Sequence, residues 1–295
     1  MDLGQSHSNF ALENLKQKEL AIEFFSRFLP TNVLDTVRLE TLQIEDGTLI
    51  DRKLAEHRTD ILFTVRGKNE TPVNLYLLFE HKSSPDSRLS FQLLRYISVL
   101  HERQTKPAPV IPIVFYHGTE KWNVSKDLHG ALAWTENEKT ALAEFVPNFE
   151  YALINTTDID LEAIRASLQL TVFLAALKHI RDYSNREKYA ILLGQASELF
   201  QQKDKLKFLE QLLTYIYRVH EYEPEDVRLL IEENVGKGLG DIAMTTAEKL
   251  EEKGIKKGKL EDARKMLEKK MNLQDILEIT GLDRQTLIDE GLISE

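Results

Sequence analysis

DILFTVRGKNETPVNLYLLFEHK, residues 60–82, decides the fold. Two apolar segments rich in β-branched and aromatic residues, DILFTV and VNLYLLFEHK, flank the polar loop RGKNETP, the pattern of a β-hairpin. A turn centred near residue 69 or 70 pairs positions whose numbers sum to roughly 139–142. Asp60 is then expected opposite the end of the second strand, near Glu80 to Lys82. Strand side chains alternate, so Glu80 and Lys82 share a face with Tyr76 and Leu78, while Leu75, Leu77, Phe79 and His81 point the other way. Both faces are apolar, which predicts a central strand covered on both sides.

The flanks extend this core. Residues 15–29 predict a helix, with Leu20, Phe24, Phe25 and Phe28 at helical spacing and Pro30 as its stop. TLQI (41–44) and TLID (48–51) predict strands around Glu45-Asp46-Gly47. After the hairpin, SSPDSRLSFQLLRYISVLHERQ predicts a helix with Ser84 as N-cap and Pro85 at its first position. Leu89, Leu93, Tyr96 and Leu100 form its apolar stripe. VIPIVFYHG (110–118) predicts a further strand. From 160 to 234 the pattern is helical, in segments 160–183, 186–202, 204–222 and 224–234. NVGKGLGD predicts a linker, followed by a charged helix with Gly254 and Gly258 and two short helices around Gly281.

The expected fold class is α/β, a mixed sheet flanked by helices and followed by an all-helical extension. The expected domains are a core at 1–150, a helical extension at 151–235, and a charged helix with a C-terminal helical hairpin at 241–295. There are no cysteines, so neither a disulfide framework nor a thiolate zinc site is available. No run is long and apolar enough for a membrane span, and MDLGQSHSNF lacks a signal-peptide pattern, so the expected setting is cytoplasmic, away from membranes. The net charge of −10 describes the surface and not the fold; it weighs mildly against a nucleic-acid partner unless a local basic patch exists.

Two carboxylates and an ammonium at the mouth of a buried sheet need a physical reason. At about 5 Å and an effective dielectric near 20, two carboxylates repel by roughly 3 kcal/mol. A divalent cation removes that repulsion, and Mg²⁺ takes one or two carboxylates together with water and substrate phosphate. Asp60 and Glu80 are therefore candidate metal ligands. Lys82 is positioned to orient a water or neutralise developing charge. Gln92 points along the apolar stripe of its helix, and a buried amide needs partners; the preceding strand end is the nearest polar cluster. Acid-x-base at a strand end is also a common solvated edge or salt bridge. Tyr116 and His117 end a strand, where the plainer expectation is a turn with unusual φ at Gly118. No HExxH, Walker loop or dinucleotide-binding glycine motif occurs.

At these residues the chain resembles the Rpn recombination-promoting nucleases, or YhgA-like proteins, of the PD-(D/E)XK superfamily. The likeness runs through SHSNF, AIEFFSRFLP, DRKLAEHRTDILFTV, LYLLFEHKSSPD, FQLLRYI, PVIPIVFYHG and the MTTAEKL…KGIKKGK tail. The resemblance implies a restriction-endonuclease-like core and Mg²⁺-dependent DNA endonuclease activity, with Mn²⁺ as the alternative ion and a link to recombination or mobile elements. It implies metal binding by Asp60 and Glu80, a catalytic role for Lys82 and a site role for Gln92. Relatives often carry His-Asp near the N-terminus, where this chain has His7-Ser8; Glu13 and Glu19 are nearby acids.

Two readings follow. One is a metal-dependent DNA endonuclease. The other is a catalytically decayed DNA-binding or recombination-accessory protein, favoured by Ser8 and the acidic charge. The tail is expected to be a solvated helix, with self-association through Leu250, Leu260 and Leu267 as an alternative that would give a homo-oligomer. The hairpin around Gly281 brings Asp283, Asp289 and Glu290 against one Arg, so packing or partner binding is favoured over base readout.

Overall fold

The computed structural model describes residues 3–45, 60–80, 85–118, 120–179, 186–220 and 222–294. The chain opens with α1 (Leu3–Leu15), α2 (Lys18–Phe28) and the single turn α3 (Thr31–Leu34). The sheet strands are β1 (Val37–Ile44), β2 (Asp60–Gly67) and β3 (Pro72–Glu80), then, after α4 (Leu89–Arg103), β4 (Val110–Tyr116). α5 (Glu136–Leu142) precedes β5 (Ala152–Asn155). Helices follow: α6 (Leu168–His179), α7 (Arg186–Gln195), α8 (Ser197–Phe200), α9 (Leu206–Val219), α10 (Pro224–Asn234), α11 (Asp241–Glu268), α12 (Leu273–Thr280) and α13 (Arg284–Asp289). This is the α/β architecture expected, with the fifth strand lying just past residue 150. Segment 48–51 and Asp46-Gly47 lie outside the described residues.

The sheet order is β1-β2-β3-β4-β5, with β1–β2 and β2–β3 antiparallel and β3–β4 and β4–β5 parallel. β3 is the middle strand, as its two apolar faces require. The hairpin register differs from expectation. Partners sum to 138, so Asp60 lies opposite Leu78 and Arg66 opposite Pro72. The cause is a three-residue loop, Lys68-Asn69-Glu70, closed by the Gly67 N–H donating to the Thr71 carbonyl at 2.7 Å. Glu70 takes a left-handed φ of 63° in the last loop position, as three-residue hairpins require. Its carboxylate pairs with Arg38 at 2.6 Å and Arg66 at 3.4 Å.

One sheet face packs on α1, α2 and α6. Phe24, Phe25, Phe63, Leu75 and Phe115 are fully buried there. α6 is buried almost all round, which explains why LTVFLAAL carries no polar stripe. α6, α7, α9 and α10 share this hydrophobic cluster with the sheet. The other face packs on α4, where Leu89, Leu93, Tyr96 and Leu100 meet Leu62 and Val114, as the stripe predicts. α4 itself starts later than expected. Leu89 is its first residue, and the Asp86 carboxylate accepts from the Arg88 N–H at 2.8 Å, forming a turn ahead of the helix. Pro85 precedes that turn; Ser84 lies outside the described residues.

The helix expected over 15–29 is α2, Lys18–Phe28, and a separate helix that the sequence pattern did not reveal, α1, ends ahead of it at Leu15. At the other end, α11, α12 and α13 enclose a small cluster of Ala263, Ile276 and Leu287. Gly281 caps α12 in the left-handed conformation. Leu260 and Leu267 pack into this cluster, so two of the three leucines of the proposed self-association seam are used within the chain. No described helix is long and apolar enough to cross a membrane.

Phe115 sits at the centre of the larger cluster, edge-on to Phe24 with ring centres 5.5 Å apart. Phe115→Ala should lower stability by about 3–5 kcal/mol, measured as a shift in urea midpoint at unchanged m-value.

Candidate functional site at the strand ends

The three parallel strands end side by side. Glu80 pairs with Tyr116, and Tyr116 pairs with Asn155. Asp60 begins the antiparallel β2 at the same edge. Open α/β sheets bind ligands outside the carboxyl ends of their parallel strands. Along β3, positions 78 and 80 have the same parity, and position 60 is opposite 78. The described residues of matching parity, Leu62 and Val114, belong to the α4 side of the sheet. The backbone thus brings positions 60 and 80 to one edge of adjacent strands. The side chains of Asp60 and Glu80, and all of His81 and Lys82, lie outside the described residues.

Gln92 lies on α4, the helix that covers this face. It is half-buried, and its side-chain amide donates to the Tyr96 hydroxyl at 3.1 Å. Tyr96 is buried between α4 and the sheet. Gln92 therefore joins the polar fringe of the α4 stripe.

Tyr116 and His117 are both buried at the end of β4. The Tyr116 hydroxyl donates to the Glu120 carbonyl at 3.0 Å, and its ring stands edge-on to Trp122. Gly118 does not adopt the unusual φ expected of it. Its lack of a side chain serves a close approach instead, since a Cβ there would overlap the Tyr116 ring. Trp122 in turn stands beside Tyr151, whose hydroxyl donates to the Ser125 carbonyl at 2.8 Å. Burial pushes the ionisation of the Tyr151 phenol well above its usual range.

Helix α1 packs on the sheet face opposite to that of positions 60 and 80, and it reaches the end of β4. His7 packs edge-to-face on His117 with ring centres 4.9 Å apart. Its Nδ1 is 2.5 Å from the Tyr215 hydroxyl of α9. Phe10, one turn on, stacks flat on the Tyr215 ring. Helix α1 is thereby fixed against the residue that follows Tyr116, the cross-strand partner of Glu80. Ser8 is fully buried on the same helix. Glu13 and Glu19 are exposed, and Glu13 pairs with Lys16, so neither supplies a buried acid near Ser8. The signal for α1 was present in the spacing of His7, Phe10, Ala11, Asn14 and Leu15, all buried; two polar members hid the stripe.

A site built from Asp60 and Glu80 offers hard oxygen donors without thiolates, the donor set that suits Mg²⁺ or Mn²⁺. Among the described residues there is no cluster of three or more metal-ligating side chains.

A mixed five-stranded sheet, helix-covered on both faces, with acids at the shared ends of its strands, defines an α/β protein. The chain belongs to the family described as "Putative transposase, YhgA-like", whose sequence model matches residues 5–222. It is 27% identical to "Recombination-promoting nuclease RpnA" of Escherichia coli (strain K12) over 293 residues, covering 92% of each chain. It is 27% identical to RpnC of the same strain over 208 residues, 68% of this chain and 61% of that protein. Over 171 residues it is 26% identical to "Inactive recombination-promoting nuclease-like protein RpnE", covering 56% of this chain and 55% of that protein. No solved structure matches the chain.

Tyr215→Phe removes the hydroxyl that His7 engages. It should cost about 1–3 kcal/mol, the range for disturbing a buried hydrogen bond. Thermal melts of the variant beside the wild type measure the loss.

Proposed function

We propose that the chain is a metal-dependent DNA endonuclease whose site lies at the shared ends of β2, β3 and β4. The observation that carries this reading is the ladder register, with Asp60 opposite Leu78 and Glu80 two residues further along the same strand. The family membership and the nuclease names of two relatives support it.

Asp60 and Glu80 would hold the ion, Mg²⁺ or Mn²⁺. When bound, such an ion acidifies a water and neutralises charge on the phosphate. Lys82, two residues after Glu80, would orient the attacking water and face the charge that grows on the phosphate oxygens. Gln92 would hold the polar side of α4 toward the site through its bond to Tyr96. The helices packed on both sheet faces keep the strand ends rigid, which is what positioning two acids requires.

Glu80→Ala should abolish metal-dependent cleavage of supercoiled plasmid while circular dichroism and melting temperature stay near wild type. Cleavage by Glu80→Ala at the wild-type rate would sink the assignment.

A second reading, a decayed accessory protein, is favoured by Ser8, a buried hydroxyl beside His7 where the family resemblance implies an acid. If this is the true state, wild type leaves the plasmid intact in either ion, and Ser8→Asp gains cutting. The nuclease reading expects cutting without that substitution.

A further inference from the structure

A groove that the nuclease reading does not use runs along α1, which packs on the sheet face opposite to that of positions 60 and 80. α1, α9 and α11 enclose a cavity of about 510 Å³, lined by Ser6 and Phe10 of α1, Tyr215 and Arg218 of α9, and Lys253 of α11, among others. A second cavity of about 470 Å³ continues between α9 and α11 and shares Arg218 and Lys253 with the first. Tyr215 links this groove to the strand ends, because its hydroxyl engages His7, which packs on His117.

The charges in the groove are unbalanced toward cations. Lys207, Arg218 and Lys253 line the first cavity, and among the described residues none is paired with a carboxylate. The two acids in the same lining are neutralised, Glu13 by Lys16 at 2.9 Å and Glu210 by Lys249 at 2.7 Å. Lys257 adds a further cation in the second cavity, whose lining also carries the acid Glu251. In a chain of net charge −10, three unpaired cations beside the two neutralised acids of the first cavity mark where an anion is favoured.

Ser6 supplies an independent sign. It is 2% exposed, lines the first cavity, and its hydroxyl has no hydrogen-bond partner among the described residues. A buried hydroxyl left without a partner costs free energy unless a ligand or water satisfies it. A phosphate oxygen accepts from a hydroxyl and attracts Arg and Lys, so one ligand chemistry answers both observations. Gly254 also lines the groove, and a Cβ there would meet open space. A glycine in a helix interior is normally a cost, and here it leaves the α11 backbone open to close approach.

We propose that this groove holds the phosphodiester backbone of the nucleic-acid strand on which the strand-end site acts. Ser6 donates to a phosphate oxygen, and Lys207, Arg218 and Lys253 neutralise the backbone. Tyr215 forms the groove wall on the side of the strand ends. The placement rests on the nuclease reading for the identity of the strand.

The test measures binding without cleavage. Fluorescent single-stranded and duplex DNA are titrated with full-length protein in chelator at several salt concentrations. The triple variant Lys207→Glu/Arg218→Glu/Lys253→Glu should bind at least about tenfold more weakly, and its salt slope should be shallower by roughly two to three. Lys207→Gln/Arg218→Gln/Lys253→Gln should show a smaller loss in the same direction and provides the measurement if the reversal variant does not fold. Lys259→Glu/Lys265→Glu/Lys269→Glu, which changes the same net charge outside both cavities, should lose far less. Wild-type affinity and slope in the groove variants overturn the proposal, as does an equal loss in the control variant or an absence of wild-type binding. Cleavage is scored separately, so a wild type that binds through the groove but does not cut defeats the nuclease reading and leaves the groove standing.

Discussion

The register of the β2–β3 ladder is the constraint on which the rest of the structure depends. β3 is the central strand, and every other strand takes its position from it. A slip of one residue would turn each β2 side chain to the opposite face, exchanging the layer under α2 and α6 with the layer under α4. The three-residue loop forbids that slip. Its last position must be left-handed, and Glu70 occupies it while held by Arg38 and Arg66. These ion pairs are partly exposed and individually weak. Their role is geometric, since they fix a loop whose length sets where Asp60 falls.

A second consequence follows from how the helices close around the sheet. The helical half of the chain is not an appendage in its packing. α6, α7, α9 and α10 share one hydrophobic cluster with α1, α2 and the strands. Through Tyr215, α9 reaches His7, and through His7 it reaches the end of β4. The groove along α9 is thus coupled by packing to the strand ends. The acidic character of the whole chain and the cationic lining of one groove coexist because net charge is a sum over the surface, whereas binding responds to the local field.

The sequence carried much of this. Continuous apolar runs ending in polar residues marked β3 and β4, and the spacing of Leu89, Leu93, Tyr96 and Leu100 marked α4 and its buried face. Gly281 marked the break between α12 and α13. Other features were hidden for definite reasons. The polar members His7 and Asn14 disguised the buried face of α1. Asp86 formed a turn that delayed the start of α4 past Pro85. Gly118 was expected to serve its own backbone, yet it makes room for a ring two residues away. Side chains that act on distant partners leave no periodic trace.

By itself the sequence determined the local elements and the chemistry available to them: a central strand with an acid at its end, a hairpin partner beginning with an acid, and a helix with an amide along its apolar stripe. It determined these because apolar period and turn composition are properties of neighbouring residues. Only the tertiary structure decided which distant residues meet. That Tyr215 of α9 engages His7, that His7 rests on His117, and that Lys207, Arg218 and Lys253 face one cavity depend on contacts spanning up to 208 residues of chain. Such contacts arise from closure of the whole hydrophobic cluster, which no local window of sequence encodes.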